Sequence, residues 1–226
     1  MQTLYKCLLV TVCLSILACG NLRKARYKEP TTNRIVQLQT QYGNVTISLY
    51  DSTPLHRNNF VTLIKTKVLD SLLFHRVIQG FMVQGGDPTS KYAKPNIMLG
   101  NGGLPYTVPA EFNLHIFHKK GALAAARDDN PAKASSSTQF YIVQGKQWTD
   151  AELNQTEQTR LQGRKLADSV RTYYKTIGGT PQLDMGYTVF GQVTSGFAVI
   201  DSITNQPKDS NNRPLKDIRM KWAIVN

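Results

Sequence analysis

The fifteen residues from Phe74 to Pro88, FHRVIQGFMVQGGDP, hold the side chains best suited to chemistry. Val77 and Ile78, then Phe81, Met82 and Val83, read as buried strand residues either side of Gly80. Arg76 and Gln84 are polar groups set among them. An arginine is always charged and costly to bury unpaired, so it has either a structural partner or a task. On this stretch alone both remain open. A second candidate is Gly100-Asn101-Gly102-Gly103, a glycine cluster of the kind that can cradle a phosphate. No P-loop Lys-Ser/Thr follows it, so residues 89–110 read as a long surface loop. His75 and His115 read as packing or surface residues and not as ligands.

These residues need a scaffold, and the pattern around them is mostly β. Ile35 to Thr40 and Asn44 to Leu49 alternate apolar and polar residues about Gln41-Tyr42-Gly43, which is a hairpin with one buried face. Asp51-Ser52-Thr53-Pro54 opens a helix, with a capping hydroxyl and Pro at the first helical position; Phe60, Leu63 and Ile64 give it an apolar face. Gly121 to Ala126 reads as a strand of small residues lying close to other backbone. Further strands are expected at Thr138–Gln144, Thr188–Val193 and Ile218–Val225, with a short helix about Val199 to Ile203. Many short strands and few helices argue for an antiparallel barrel or sandwich. A foreign segment, Gly145 to Pro181, interrupts them. Thr149-Asp150-Ala151-Glu152 is a capping-box pattern, Gly163 separates two helices, and Gly178-Gly179 ends the second. Trp148, Tyr173 and Tyr174 are placed to pin this decoration to the barrel.

At 226 residues the chain suits one decorated domain, and 41% hydrophobic residues can build its core. The formal charge is +12, and +11 without residues 1–18, which hold one Lys and no acid. The cations are scattered without a run or a nucleic-acid motif, so they read as solvated surface and not as a nucleic-acid interface. Residues 1–18 place one Lys before an apolar run, Cys7 to Leu17, too short to span a bilayer and suited to a signal-peptide core. The run ends Ile16-Leu17-Ala18-Cys19-Gly20, which resembles a bacterial lipobox. That resemblance implies a Cys19 acylated on its thiol, at the start of the mature chain. The chain has three cysteines, Cys7, Cys13 and Cys19, so cleavage there leaves no free thiol. Residues 19–33 read as an acylated cysteine and a tether, able to reach about 45–50 Å if extended, and 34–226 as the folded domain.

Three blocks in order, FHRVIQGFMVQGGDP, then GALAAAR with STQFYIV, then LDMGYTVFGQV, resemble the cyclophilin family of peptidyl-prolyl isomerases across residues 35–225. The resemblance implies a mainly β fold: an eight-stranded antiparallel barrel capped by two helices, with 146–180 as a helical insertion typical of a bacterial branch. It implies catalytic Arg76, Phe81 and Gln84. Substrate binding would fall to Met82, Gln139, Tyr141 (where Phe is usual), Leu183 and Tyr187, with Ala126 and Arg127 anchoring the peptide. Arg127 stands where the family has Asn, Tyr187 where it has His, and Gln182 where many members carry Trp. The implied partners are proline-containing polypeptides and, through Cys19, a membrane. The implied location is the bacterial envelope, anchored in the outer membrane and facing the periplasm, as a monomer without metal or cofactor. A cyclophilin-like chaperone module without catalysis, and a basic structural lipoprotein, are the competing readings. Intact Arg76, Phe81 and Gln84 argue for the enzyme.

The chemistry suits these residues. Amide rotation faces a barrier of ~18–20 kcal/mol because nitrogen shares its lone pair with the carbonyl. At the twisted transition state that lone pair is localised on the proline nitrogen. A donor aimed at it binds the transition state better than the ground state.

Overall fold

The computed structural model describes residues 32–95 and 97–225, with backbone alone at 32 and 33. The signal peptide, Cys19 and most of the tether expected above lie outside the described residues. The first strand, β1 (Thr32–Thr40), starts two residues before the expected domain boundary and pairs with β2 (Gly43–Tyr50). Helix α1 (Pro54–Lys65) follows, then β3 (Phe74–Ile78), β4 (Met82–Gly85), β5 (Thr107–Val108), β6 (Ala122–Ala125), β7 (Ser135–Ser136) and β8 (Phe140–Val143). The insertion supplies α2 (Asp150–Thr159) and α3 (Asp168–Thr176), and β9 (Val189–Ser195), α4 (Phe197–Thr204) and β10 (Lys221–Ile224) end the chain.

Eight strands form one antiparallel sheet in the order β10-β1-β2-β9-β6-β8-β4-β3, and β5 pairs with β7 separately. The sheet curls until its edges meet. Ser71 and Phe74 donate to the carbonyls of Met220 and Ile218, and Met220 donates back to Leu72, at 2.8–3.0 Å. These bonds cover the start of β3 with the segment that leads into β10.

Strand alternation then gives the sheet two different faces. Phe140 and Ile142 of β8, and Leu123 and Ala125 of β6, point into the barrel; Tyr141, Val143, Ala122 and Ala124 point out into a second apolar cluster. Inside, Phe60 of α1 packs edge-on to Phe140 and Trp222, with ring centroids 5.4 and 4.9 Å apart. Val199, Ile200 and Ile203 of α4 join the same core. The insertion has its own small core of Leu153, Leu161, Leu166, Val170 and Tyr174, closed against Phe117 of the barrel.

Two local expectations change. Thr53 is the N-cap of α1, but its hydroxyl is buried without a partner. The carboxylate of Glu111 caps the helix instead, accepting from the backbone of Leu55 and His56 at 3.0 and 2.9 Å. A charged acceptor at a helix N-terminus outcompetes a hydroxyl there. Residues 89–110, expected as plain loop, carry the end of a 3-10 turn at Pro88–Tyr92 and strand β5. In the insertion the capping box of Thr149 and Glu152 forms as the pattern predicts.

Candidate active site

The site begins with a β-bulge. Arg76 pairs with Gln84, but Phe74 pairs with Gly85, so one extra residue, His75, is taken up in β3. Phe74 and His75 are therefore both buried, and Arg76 turns to the outer face, where it is exposed. Without the bulge the period of two would carry Arg76 inward with Phe74. No sequence signal marks this bulge. Gln84 in turn pairs with Tyr141, and Tyr141 with Ala124. Arg76, Gln84, Tyr141 and Ala124 thus form one row across four strands, all on the outer face.

Phe81 lies in the turn between β3 and β4, half-buried, and not in a strand as expected. The turn is tightly held. Gly80 donates to Gln144 Oε1 at 2.7 Å, and the Phe81 carbonyl accepts from Gln144 and Gly145 at 3.0 Å each. Gly80 has φ +72°, a conformation that favours glycine.

Arg76, Phe81, Met82, Gln84, Ala126, Arg127, Tyr141, Leu183 and Tyr187 line one outer-face pocket of about 110 Å³. Every site residue expected inside the domain meets there except Gln139, which sits behind Gln84. The alanines of β6 leave room for it. Tyr187 meets Tyr141 edge-on at 5.9 Å, and the Arg127 guanidinium lies over the Tyr187 ring at 4.9 Å. Arg127 Nε also donates to the Gly186 carbonyl at 2.8 Å, which fixes that rim. Ala126 spends its own N–H and carbonyl on Gln139 and Ser136. Among the described residues the backbone of Arg127 has no hydrogen-bond partner, so its N–H and carbonyl are free to pair. Gln182 does not line the pocket.

Arg76 forms no ion pair among the described residues. Its Nη1 donates to Gln84 Oε1 at 3.2 Å, and Gln84 Nε2 donates to Gln139 Oε1 at 3.2 Å. Gln139 Nε2 donates to the carbonyls of Gly100 and Gly102, at 2.8 Å each. The two carbonyls can only accept, so the direction of every amide in the chain is determined. The glycine cluster considered for phosphate is used here instead. Its N–H groups at Gly100 and Gly102 bind Asp87 Oδ2 at 2.6 and 3.3 Å, while Thr89 serves Oδ1. A Cβ at Gly102 would strike Asp87 Oδ1. Burial pushes the Asp87 carboxyl up, but the bonds from Thr89, Gly100 and Gly102 outweigh it and hold it below its ordinary value. His75, behind Arg76, is buried and uncharged at neutral pH, its pKa pushed down to about 4 chiefly by burial. His115 is exposed. No group of three or more His, Cys, Asp or Glu among the described residues could hold a metal.

Sequence reasoning overlooked three buried groups beside the pocket: Asp87, His118 and Asp184. His118 stacks on Tyr141, centroids 6.1 Å apart at 12°, and faces its hydroxyl. The local sequence marks none of them: Asp87 follows Gly-Gly and precedes Pro88, as a turn residue would, and His118 and Asp184 stand in mixed polar and apolar segments.

Comparison with known proteins gives the family and the fold. The family model for cyclophilin type peptidyl-prolyl cis-trans isomerase/CLD matches residues 35–225. A protein of Staphylococcus haemolyticus named "Putative peptidyl-prolyl cis-trans isomerase" is 34% identical over 193 residues, covering 84% of this chain and 91% of that protein. One of the same name from Staphylococcus epidermidis is 36% identical over 196 residues, with the same coverage. Among solved structures, a cyclophilin type peptidyl-prolyl cis-trans isomerase of Cryptosporidium parvum matches with TM-score 0.60 at 23% identity, over 85% of this chain and 98% of that one. The same protein in the presence of the dipeptide Ala-Pro matches with TM-score 0.60 at 22% identity, over 85% and 99%.

Proposed function

The chain belongs to the cyclophilin-type peptidyl-prolyl cis-trans isomerase family, and from that premise we propose how its pocket works. The activity is isomerisation of Xaa-Pro peptide bonds. The proline ring enters the apolar pocket between Phe81, Met82, Tyr141 and Leu183. Arg127 holds the flanking main chain through its own backbone. One side of the bond is then fixed while the other turns. Arg76 stabilises the twisted amide by donating to the proline nitrogen once its lone pair is localised. No covalent intermediate or general base is required.

The single observation that carries this is the directed chain Gly100/Gly102–Gln139–Gln84–Arg76. It engages one Arg76 N–H and leaves the guanidinium, with its other four donors, at the pocket edge. A donor already oriented needs no reorganisation when charge develops. The test is a proline-isomerisation assay with a short Ala-Pro peptide. Wild type should accelerate the reaction, and a folded Arg76→Ala variant should lose most of that acceleration. An Arg76→Ala variant turning over like wild type would refute the role.

We also propose that the domain works as a monomer at the bacterial envelope, outer-membrane anchored and facing the periplasm, on proline-containing polypeptides and not on nucleic acid. The apolar run from Cys7 to Leu17 and the lipobox-like sequence at Cys19 support the membrane anchor. No helix among the described residues is long and apolar enough to cross a membrane. A Cys19→Ser protein should move from the membrane fraction to the soluble fraction with turnover intact. Unchanged fractionation would count against the anchor.

A further inference from the structure

The inserted hairpin carries none of the pocket-lining residues, yet a buried polar chain joins it to the pocket floor. Tyr174 of α3 donates its hydroxyl to Asp184 Oδ2 at 2.8 Å. Asp184 Oδ1 takes the His118 backbone N–H and faces His118 Nδ1, both at 2.9 Å. His118 Nε2 meets the Tyr141 hydroxyl at 3.0 Å. Tyr174, Asp184, His118 and Tyr141 are all buried, at 0, 8, 1 and 4% exposure.

The direction of these bonds follows from chemistry. Asp184 Oδ1 already accepts the His118 backbone N–H, so Nδ1 is the ring nitrogen placed to donate to it, and in that neutral tautomer Nε2 accepts from Tyr141. Burial, with the neighbouring Tyr187 and Asp184, pushes the Tyr141 hydroxyl well above its ordinary range, so it keeps its proton and donates. Tyr141 stands where a phenylalanine is usual in this family. Its hydroxyl would be an unpaired buried group if His118 did not receive it, which is costly. The chain therefore turns the hydroxyl away from the pocket and presents the ring to it.

We propose that Tyr174, Asp184 and His118 are positioning residues for the proline pocket, and that the insertion thereby takes part in substrate binding. This rests on the reading that Tyr141, Leu183 and Tyr187 receive the proline ring. That pocket holds the ring before and during rotation, so loosening it weakens ground state and transition state alike. The signature is a raised KM at unchanged kcat.

The experiment is a double-mutant cycle on full-length protein with a short Ala-Pro peptide, with Tm measured alongside. Tyr174→Phe should raise KM about fivefold with kcat within about twofold. In a Tyr141→Phe background, which lacks the hydroxyl that the chain serves, the same change should add less than about 1.5-fold. Its loss of Tm should appear in both backgrounds. An unchanged KM with lowered Tm would make Tyr174 merely structural and overturn the inference. A fivefold effect that persists with Phe at 141 would show that it does not pass through the hydroxyl, and would overturn it too. If Tyr174→Phe does not fold, the His118 pair decides. His118→Leu should raise KM, and His118→Gln, which can donate to Asp184 and accept from Tyr141, should restore it; equal KM in the two variants overturns the inference. A wild type without turnover would remove the isomerase reading and this inference with it, whereas an active wild type with indifferent variants removes the inference alone.

Discussion

Two polar chains reach the pocket, and each starts from a buried aspartate. Asp87 organises the Gly100–Gly102 loop, which orients Gln139, then Gln84, then Arg76. Asp184 orients His118, which orients Tyr141. The first passes through neutral amides and ends in an exposed cation. The second passes through an imidazole and ends in a buried ring. An exposed cation can meet charge that appears only at the twisted amide, so the first chain should act on kcat. A ring surface meets the proline in every state, so the second should act on KM. One anchoring strategy thus serves chemistry in one case and shape in the other.

The sharpest way to break this contrast is to remove the end of the first chain. Arg76→Ala is expected to lower kcat/KM by about 10²–10³, or ~2.7–4 kcal/mol of transition-state stabilisation. The loss should lie in kcat. Steady-state kinetics showing a pure KM effect would place Arg76 with the shape chain instead.

Next in size is the foundation of the same chain. Asp87 has a depressed pKa in the folded protein. Its contribution is therefore present above the unfolded carboxyl value of about 3.9 and is lost as pH falls through the lower folded value. Thermal melts of wild type should weaken from about pH 4 downward. Asp87→Asn at pH 7 should cost ~1–3 kcal/mol, because an amide cannot accept from Thr89, Gly100 and Gly102 together. A variant as stable as wild type would show that the loop does not depend on the carboxylate.

Cutting the chain midway tests whether orientation matters apart from stability. Gln139→Leu frees Gln84 from the carbonyls of Gly100 and Gly102. A loss of about tenfold in kcat is expected, ~1.4 kcal/mol, with KM little changed. An unchanged kcat would mean that Gln84 holds its orientation unaided.

The two chains also differ in how far the sequence reveals them. The apolar alternation of Val45, Ile47 and Leu49, and the capping box at Thr149, are local patterns, and the elements formed where they lie. Arg76, Phe81 and Gln84 stand within one continuous block, so their grouping was legible together. The bulge at His75 was not, because inserting one residue into a ladder leaves the composition unchanged. The bonds from Gln139 to Gly100 and from Tyr174 to Asp184 were equally hidden. Each joins residues whose separation carries no period, and a buried polar residue between apolar neighbours looks the same whether it is a ligand or a brace. Glu111 capping a helix 55 residues away belongs to the same class. Local preference for Thr53 as a cap was overridden by a stronger acceptor supplied through the tertiary fold.

The smallest expected effect sharpens the boundary between the two chains, at a residue that could act either way. Arg127 is a cation at the pocket rim, so it could steer acidic substrates; it could equally brace the wall. The geometry favours the brace. Its side chain is only 13% exposed, Nε is held by Gly186, and the guanidinium covers Tyr187, which packs on Tyr141. Its contact with Asp129 at 3.4 Å is with a fully exposed carboxylate, and such surface pairs contribute little. Arg127→Asn should therefore raise KM about threefold for an uncharged Ala-Pro peptide and leave kcat alone, since a stacked and hydrogen-bonded guanidinium contributes ~0.5–1 kcal/mol of support. Salt separates the two roles. Long-range attraction between exposed charges fades as the screening length shrinks from about 10 Å at 0.1 M to 3 Å at 1 M, whereas packing does not. The threefold ratio between variant and wild type should persist at high salt and should not grow for peptides with an acidic residue beside the proline. A ratio that collapses in salt, or that appears only with acidic peptides, would assign Arg127 to electrostatic selection and leave Tyr187 to hold the wall alone.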